Sequence, residues 1–345
     1  MKDNPLFASA ESLSVLLAHL ASQATEESAA SSTTWNEWCI RRIDGGWNNR
    51  LYRVTSIRDD PPTCDVACKY VVPDARDRAG REYGALCALH EAGLDIAPRP
   101  ILLERERYAL PVVVYEWLDG VVDGAPPRSD RDWQCLVEHL VACHALSPEH
   151  TSVPLPRCVV YARSADEGRV LVQQQMAHIP PEAQPDDLRD LATCFDATPL
   201  PQWDPPPISL CRADHNTLNL IRRPDAWASV DWENSGWSDP ALDVAELITH
   251  PAYEDVLADR WDWLIDAYCD LARVPQARAR IRAYHCVLLV RWVARLARYL
   301  YQVPRGLDQR LVAHPNGRLA DLGQRYGRYL VRARRALESG SWLLA

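Results

Sequence analysis

A polar loop interrupts an apolar stretch between residues 208 and 221, where the sequence reads ISLCRADHNTLNLI. The segments on either side, Ile208 to Cys211 and Leu218 to Ile221, have the composition of short β-strands. The polar residues of interest are Asp214, His215 and Asn216 between these segments and Asn219 within the second one. Carboxylate and amide oxygens of this kind bind small cations and orient hydroxyl groups. We therefore interpret the loop as a binding or catalytic site.

The spacing of these residues specifies the chemistry further. Asp214 and Asn219 have the D-x-x-x-x-N spacing of kinase catalytic loops, in which the Asp orients the acceptor hydroxyl and the Asn binds magnesium. Asp231 follows at the end of the strand-like segment WASVDW, where a second magnesium carboxylate is expected. The alternative is an Asx-rich turn between strands, the commonest use of such residues. The choice between the two depends on residues elsewhere in the chain.

Lysine is almost absent from this chain. Lysine and arginine together number 38, and the lysines are Lys2 and Lys69. Because a compact ammonium and a planar guanidinium are not interchangeable against a phosphate oxygen, the single internal lysine is a candidate phosphate ligand, although its retention could be chance. Glu82, thirteen residues later on a predicted helix, is placed to form a strand-to-helix ion pair with Lys69.

A glycine pair precedes the lysine, in the sequence GGWNN. Gly45 and Gly46 would allow the backbone of this turn to approach phosphates closely, since neither carries a side chain. The alternative is an ordinary β-hairpin turn.

Hydrophobic patterning divides the chain into three parts. Residues 1–34 are predicted to form a short helix at about residues 8–23, followed by a polar linker. Residues 35–118 are predicted to form five strands and one helix. Residues 119–345 are predicted to be mostly helical. Strands are predicted beside the polar loop and at residues 227–232. Helices are predicted at about residues 129–147, 183–195, 240–250, 254–272, 276–302 and 317–338. The fold class is therefore α+β with two lobes, a small β-rich one and a larger helical one.

Composition limits the classes of partner. The chain is 47% hydrophobic and 25% charged, as in ordinary globular proteins. Its net charge of −9 argues against binding to nucleic acid or to anionic membranes. We find no apolar stretch near the ~20 residues of a membrane span and no export signal. The 11 cysteines, with no CxxC pair, are predicted to be reduced thiols in a cytoplasmic protein.

Charge is segregated near the C-terminus. Residues 231–270 carry eleven acidic residues and one arginine, whereas residues 271–345 carry fifteen arginines and three acidic residues. One interpretation is that the two helical segments pack together and neutralise each other. The other is that the acidic segment lines a pocket for a cationic acceptor.

Several further polar residues have local interpretations. His144 and His215 are predicted to be structural, and Asp239 and Asp243 to cap and begin the helix at DPALDVAELI. Glu233 is either a further ligand near the metal or an exposed carboxylate.

The order of these motifs resembles the aminoglycoside phosphotransferase and choline kinase-like family, which has the protein-kinase-like fold. The resemblance covers about residues 35–300 and rests on GGWNNRLYRV, ACKYV, REYGALCALHEAGL, VVVYEWLDG, CRADHNTLNLI and VDWENSGWSDPALDVAELI. The combination of DWE with DPALDVA resembles this family and differs from protein kinases, whose DFG and APE motifs are absent.

The resemblance implies phosphorylation of a small-molecule hydroxyl by ATP and Mg²⁺. Asp214 would be the catalytic base, and Asn219 and Asp231 would bind Mg²⁺. Lys69, held by Glu82, would contact the nucleotide phosphates. The other implied nucleotide-binding residues are Gly45, Gly46 and Asn48 in the turn, and Glu116, Trp117 and Leu118 in a hinge that binds adenine.

Two positions depart from the family pattern. The family usually has His-Gly-Asp where this chain has Arg212, Ala213 and Asp214, and a glycine often precedes the asparagine where Leu218 stands. Arg212 could still orient the loop through hydrogen bonds to neighbouring carbonyls. The alternative function is therefore a nucleotide-binding pseudokinase with a regulatory or scaffold role.

Overall fold

The computed structural model describes residues 32–35, 38–43, 49–57, 65–224, 226–307 and 315–339. The helix predicted at about residues 8–23 lies outside the described residues, as do Gly45, Gly46 and Asn48 of the glycine turn.

The N-terminal lobe is one antiparallel sheet with a helix packed on it. The strands follow the spatial order β1-β2-β3-β4-β6-β5. Their bounds are β1 Ser32–Trp35, β2 Trp38–Ile43, β3 Arg50–Ser56, β4 Asp65–Tyr70, β5 Pro100–Glu104 and β6 Val112–Glu116. Strand β1 was not predicted, because its polar residues continue the composition of the preceding linker. The other five strands were predicted from their apolar patterning.

Helix α1, Arg78–Glu91, connects β4 to β5. Asp77 caps its N-terminus by accepting a hydrogen bond from the backbone of Gly80. The helix packs its apolar face, which includes Ala85, Leu86 and Leu89, against the sheet. Gly93 follows the end of the helix with a φ of 71°, a left-handed conformation suited to glycine.

The C-terminal lobe is mostly helical. The long helix α7 packs against α3, α4, α5, α6 and α8 and forms the centre of the lobe. The helices are α2 Asp130–His144, α3 Ala165–Met176, α4 Asp186–Ala197, α5 Pro240–Thr249, α6 Ala258–Leu271, α7 Ala277–Gln302 and α8 Pro315–Ser339. Six of the seven were predicted. Helix α3 was missed because only four of its residues are buried, so its apolar periodicity is faint.

Two small strand pairs lie in this lobe. They are β7 Ser209–Cys211 with β10 Gly236–Ser238, and β8 Leu220–Ile221 with β9 Ala228–Ser229. Strand β10 was not predicted, and the strand predicted at residues 227–232 is only two residues long. Both pairs flank the polar loop, so they position it.

One hydrophobic cluster joins the two lobes. Trp232 and Trp237 pack with Leu86 of helix α1 and with Ala67 and Val113 of the sheet. Trp232 is fully buried. Its neighbour Asp231 is therefore fixed against the N-terminal lobe, although it belongs to the C-terminal one.

Ion pairs connect the acidic and basic segments of the C-terminal lobe. Among the residues that the structure describes, five cross the boundary between them: Arg278–Asp266, Arg280–Asp239, Arg282–Asp262, Arg291–Glu246 and Arg328–Glu254. The interpretation that the two segments pack together and neutralise each other is confirmed.

The described cysteines are all free thiols, as predicted. Within the described ranges, no helix combines the length and the apolar character that crossing a bilayer would require.

Candidate active site

Lys69 lies on the central strand β4, opposite Leu51 of β3 and Val113 of β6. Its side chain is buried, and its Nζ lies 2.6 Å from Oε2 of Glu82 and 2.5 Å from Oδ1 of Asp231. The ion pair expected between strand and helix is therefore present. A third carboxylate oxygen, Oε2 of Glu233, lies 3.7 Å away. One ammonium thus connects the sheet, helix α1 and the segment after β9.

The charges at this point perturb one another. Burial opposes protonation of Lys69, but the negative charges of Asp231, Glu82 and Glu233 outweigh it and raise the lysine pKa well above its usual value. Burial raises the pKa of Glu82 to about 7 against the opposing effect of Lys69. The pKa of Asp231 is lowered despite burial, because Lys69 stabilises its charged form. Three carboxyl groups around one ammonium favour the approach of further positive charge.

Glu233 is buried, so its interpretation as an exposed carboxylate is wrong. Its oxygens accept hydrogen bonds from the guanidinium of Arg78 and, at 2.7 Å, from Nδ2 of Asn49. Asn49 accepts in turn from the backbone N–H of Val72. The sequence alone did not single out Asn49 or Arg78. The only available signal was their proximity in sequence to the glycine turn and to helix α1.

The two-strand hairpin β8–β9 places Asn219 beside the segment that carries Asp231. Leu220 pairs with Ser229, and the backbone N–H of Val230 donates to the carbonyl of Asn219 at 3.0 Å. Asp231 then adopts a left-handed φ of 64°, which aspartate tolerates better than most residues. Its side chain keeps 30% of its surface exposed and ends near Lys69. Two oxygen-bearing side chains thus lie on neighbouring backbones.

Asp214 lies on the polar loop with 28% of its side chain exposed. Oδ1 accepts a hydrogen bond from the backbone N–H of Asn216 and lies 3.9 Å from Nε2 of His250. Burial, and then the negative charge of Asp231, raise the pKa of Asp214 to about 6. The carboxylate is partly accessible and lies within the field of Asp231.

A buried carboxylate supports this loop from behind. Asp243 accepts hydrogen bonds from the backbone N–H groups of Arg212 and Ala213, and its oxygens lie 3.1 Å from Nε2 of both His144 and His215. The two histidines are therefore structural, as predicted. Asp243 lies in the first turn of helix α5, as predicted, and its side chain in addition contacts the backbone of the loop. Asp239 does cap helix α5, through the backbone N–H of Ala241.

Arg212 occupies the position where the family usually has histidine. Its side chain is buried, stacks 4.9 Å above the ring of Trp232, and donates a 2.9 Å hydrogen bond to the carbonyl of Val230. Arg212 thus connects the loop of Asp214 to the segment of Asp231. The contact with a neighbouring carbonyl is the one expected from the sequence.

The predicted hinge follows β6. The backbone N–H of Trp117 donates to the carbonyl of Asp65, and the guanidinium of Arg53 lies 4.5 Å above the Trp117 ring. Glu116 and Leu118 flank this residue, and the chain then forms a bridge between Val121 and Arg222 of the C-terminal lobe. Glu116 to Leu118 therefore connect the lobes, beside the end of the strand that carries Lys69.

Comparison with known proteins supports the two-lobed fold described above. A family model described as "Phosphotransferase enzyme family" matches residues 40–284. No curated protein sequence matches the chain. A candidate aminoglycoside phosphotransferase from Ralstonia eutropha is 14% identical, with a TM-score of 0.64 over 95% of this chain and 99% of that one.

Two further solved structures have a similar fold. A spectinomycin phosphotransferase in complex with ADP and spectinomycin is 12% identical, with a TM-score of 0.58 over 93% of this chain and 99% of that one. A choline kinase from Streptococcus pneumoniae is 13% identical, with a TM-score of 0.54 over the same shares of the two chains. At identities this low, the likeness to solved structures shows the fold alone.

Proposed function

This chain belongs to the phosphotransferase enzyme family, whose model matches residues 40–284, and we propose that it transfers the γ-phosphate of ATP, with Mg²⁺, to a hydroxyl group of a small molecule. The observation that carries the proposal is the contact of Lys69 with both Glu82 and Asp231. It joins the sheet, helix α1 and the C-terminal lobe at one point, beside the loop of Asp214. The ADP in the spectinomycin phosphotransferase structure supports a nucleotide as the donor.

Lys69 is the residue proposed to bind the nucleotide phosphates. Its ammonium is fixed by Glu82 at 2.6 Å, and the strand that carries it is hydrogen-bonded on both edges. A group held in this way loses little freedom when phosphate oxygens bind to it, so its charge can act on the transferring group without reorganisation.

Asn219 and Asp231 are the residues proposed to hold Mg²⁺. The donor set fits, because an amide oxygen and a carboxylate are hard ligands and Asp231 is partly exposed. Oxygens of Glu82, Asp231 and Glu233 also lie within 4.8 Å of one another, which makes this point strongly attractive to a cation. The ion, when bound, would supply positive charge against the phosphate oxygens of the nucleotide.

Asp214 is the proposed base. A hydroxyl that donates a hydrogen bond to its carboxylate would be oriented for attack and would release its proton to that carboxylate as the new O–P bond forms. With a pKa of about 6, Asp214 is mostly ionised at neutral pH yet more basic than an ordinary aspartate.

The test is phosphate transfer from ATP over a panel of sugars, amino sugars, amino alcohols and hydroxy acids, with the product identified by mass spectrometry. We expect Asp214→Asn to lower turnover by about 10² to 10⁴-fold, the usual range for acid-base catalysis. Binding of Mg²⁺-ATP, followed by thermal shift, should change little.

Asp190→Asn is the matched control, because Asp190 lies exposed on helix α4. This variant should keep wild-type turnover. If the wild type bound Mg²⁺-ATP but phosphorylated nothing across the panel, the pseudokinase alternative would replace this proposal. Full activity in Asp214→Asn would show that Asp214 is not the base.

A further inference from the structure

Arg295 of helix α7 has a guanidinium that is held rigidly by aromatic side chains of its own helix. Its Cζ lies 4.7 Å from the ring centroid of Trp292 and 5.6 Å from that of Tyr299, and its Nε donates a 3.0 Å hydrogen bond to Oη of Tyr299. Stacking against two rings fixes the plane of the guanidinium. The group is therefore pre-oriented to bind a planar or tetrahedral oxyanion.

Its neighbours on the helix are arranged differently. Each of four other arginines of α7 forms an ion pair: Arg278, Arg280, Arg282 and Arg291. Among the residues that the structure describes, no carboxylate forms an ion pair with Arg295. Glu246, which acts on it electrostatically, is in direct contact with Arg291. Arg295 thus brings a positive charge that the fold itself does not neutralise by contact.

The position of Arg295 relates it to the proposed base. The ring of Trp292, on which it stacks, lies 6.1 Å from the ring of His250, and Nε2 of His250 lies 3.9 Å from Oδ1 of Asp214. A short series of contacts therefore leads from the guanidinium to the carboxylate. The negative charge of Asp214 also acts on Arg295, which is consistent with this proximity.

His250 itself adds no charge to this region. Burial, and then the positive charges of His215, Arg295 and Arg325, lower its pKa to about 3, so the ring is neutral at physiological pH. Two glutamates of this part of the lobe are already paired: Glu246 with Arg291 and Glu254 with Arg328. Neither glutamate is therefore free to pair with an amine of an acceptor, whereas the guanidinium of Arg295 has no carboxylate in contact among the described residues.

We propose that Arg295 binds an oxyanion of the acceptor, a carboxylate or a phosphate ester, while a hydroxyl of the same molecule lies at Asp214. This inference rests on the proposed function and names its substrate class: a hydroxy acid or a phosphorylated alcohol, rather than an amine. The planar fork of an arginine matches both oxyanions through paired N–H···O bonds.

The test compares acceptors that share a carbon skeleton and differ in charge. Galactose, galacturonate, galactose 6-phosphate and galactosamine form one set; glycerol, glycerate, glycerol 3-phosphate and serinol form another. In the better set, we expect kcat/KM for an anionic member to exceed that for the neutral and amine members by at least about 10-fold. Comparing kcat/KM for the carboxylate and phosphate members of a set shows which oxyanion is preferred.

Arg295→Gln should lower the preference for the anionic member over the neutral one by about 10- to 100-fold, the range for loss of a charge-assisted hydrogen bond. The loss should appear mainly in KM, because the contact is present in ground and transition states alike. Arg295→Lys should retain part of the preference. Arg282, also on helix α7, is paired with Asp262 of helix α6, and Arg282→Gln should leave the preference unchanged.

Binding of the same compounds to the ADP-bound protein, measured by calorimetry, separates the two proposals. If the anionic compounds bind the wild type more tightly than Arg295→Gln but no transfer occurs, the function fails and the oxyanion site stands. Preference for the amine members, equal effects of Arg295→Gln on all members, or no binding of any anionic compound would overturn the oxyanion site.

Discussion

Oδ1 of Asp243 accepts a 2.8 Å hydrogen bond from the backbone N–H of Ala213, the residue before the proposed base Asp214. The same carboxylate accepts from the backbone N–H of Arg212. Its pKa is held well below the usual value, since its partners His215 and His144 outweigh the effect of burial. The position of the proposed base is therefore set by a charge on helix α5, about thirty residues further along the chain.

Asp243→Asn should destabilise the protein and disorganise the loop. The amide is neutral and has one acceptor oxygen in place of two, so at least one loop N–H or histidine ring loses its partner. Breaking a buried charged network by changing one member typically costs about 3–5 kcal/mol. Urea denaturation measures the cost, with Asp190→Asn as the exposed control. A change in the free energy of unfolding below about 0.5 kcal/mol, the usual limit for surface substitutions, would contradict the support role.

Lys69→Arg should abolish most of the activity. The site offers room for a compact ammonium between Glu82 and Asp231, and a planar guanidinium cannot place its charge at the same point. We expect turnover to fall by about 10²-fold or more, as for loss of a preorganised charge-stabilising group. Steady-state kinetics measure the loss. Arg105→Lys, at an exposed ion pair of the same lobe, is the control; wild-type turnover in Lys69→Arg would remove Lys69 from the site.

The activity should have an acidic limb near pH 6. Because burial and Asp231 raise the pKa of Asp214 to about 6, its carboxylate becomes protonated, and inactive as a base, as the pH falls through that value. An ordinary aspartate would lose its charge about two pH units lower. The pH profile of kcat/KM reports this ionisation in the free enzyme.

Two observations would assign that limb. His250, with a pKa of about 3, changes charge too far below pH 6 to produce it. The residual activity of Asp214→Asn should lack the limb. A limb that survived in this variant would belong to another group.

Ala213→Gly should stabilise the protein. Ala213 has a φ of 53°, in the left-handed region that costs residues with a side chain roughly 1–2 kcal/mol, and the family usually has glycine here. The greater freedom of glycine in the unfolded chain offsets part of this relief of strain. The free energy of unfolding should therefore rise by about 0.5–1 kcal/mol. Ala320→Gly, on the exposed face of helix α8, should instead cost about 1 kcal/mol. Destabilisation of similar size in both variants would contradict the strain at Ala213.

The sequence predicted the parts of the site that depend on local patterning. Lys69 lies within an apolar strand and Glu82 on a helix with clear caps, so their types and spacing were sufficient to predict the ion pair that the structure shows. Strand β6 and the connection between the lobes that follows it were also predicted from composition. The roles of these residues in binding nucleotide remain predictions.

The parts that were not predicted depend on contacts between distant segments. Asp243 has the sequence position of a helix-start residue, and only the fold reveals that its side chain contacts the loop of Asp214. Glu233 was compatible with exposure until its buried contacts with Arg78 and Asn49 were known. Strand β10 is three residues long and pairs with β7, about 25 residues earlier, so it has almost no local signal.

The scarcity of lysine makes Lys69 a natural reporter of unfolding. A protease that cleaves only after lysine can cut this chain at Lys2 and at Lys69. The peptide bond after Lys69 lies in β4, which is buried and hydrogen-bonded to β3 on one edge and to β6 on the other. Proteolysis requires an extended, accessible segment, so cleavage there occurs only from molecules whose central sheet has opened. The rate of a single cut therefore measures the opening equilibrium of the N-terminal lobe, and a ligand that binds only the closed lobe should slow it in proportion to its occupancy.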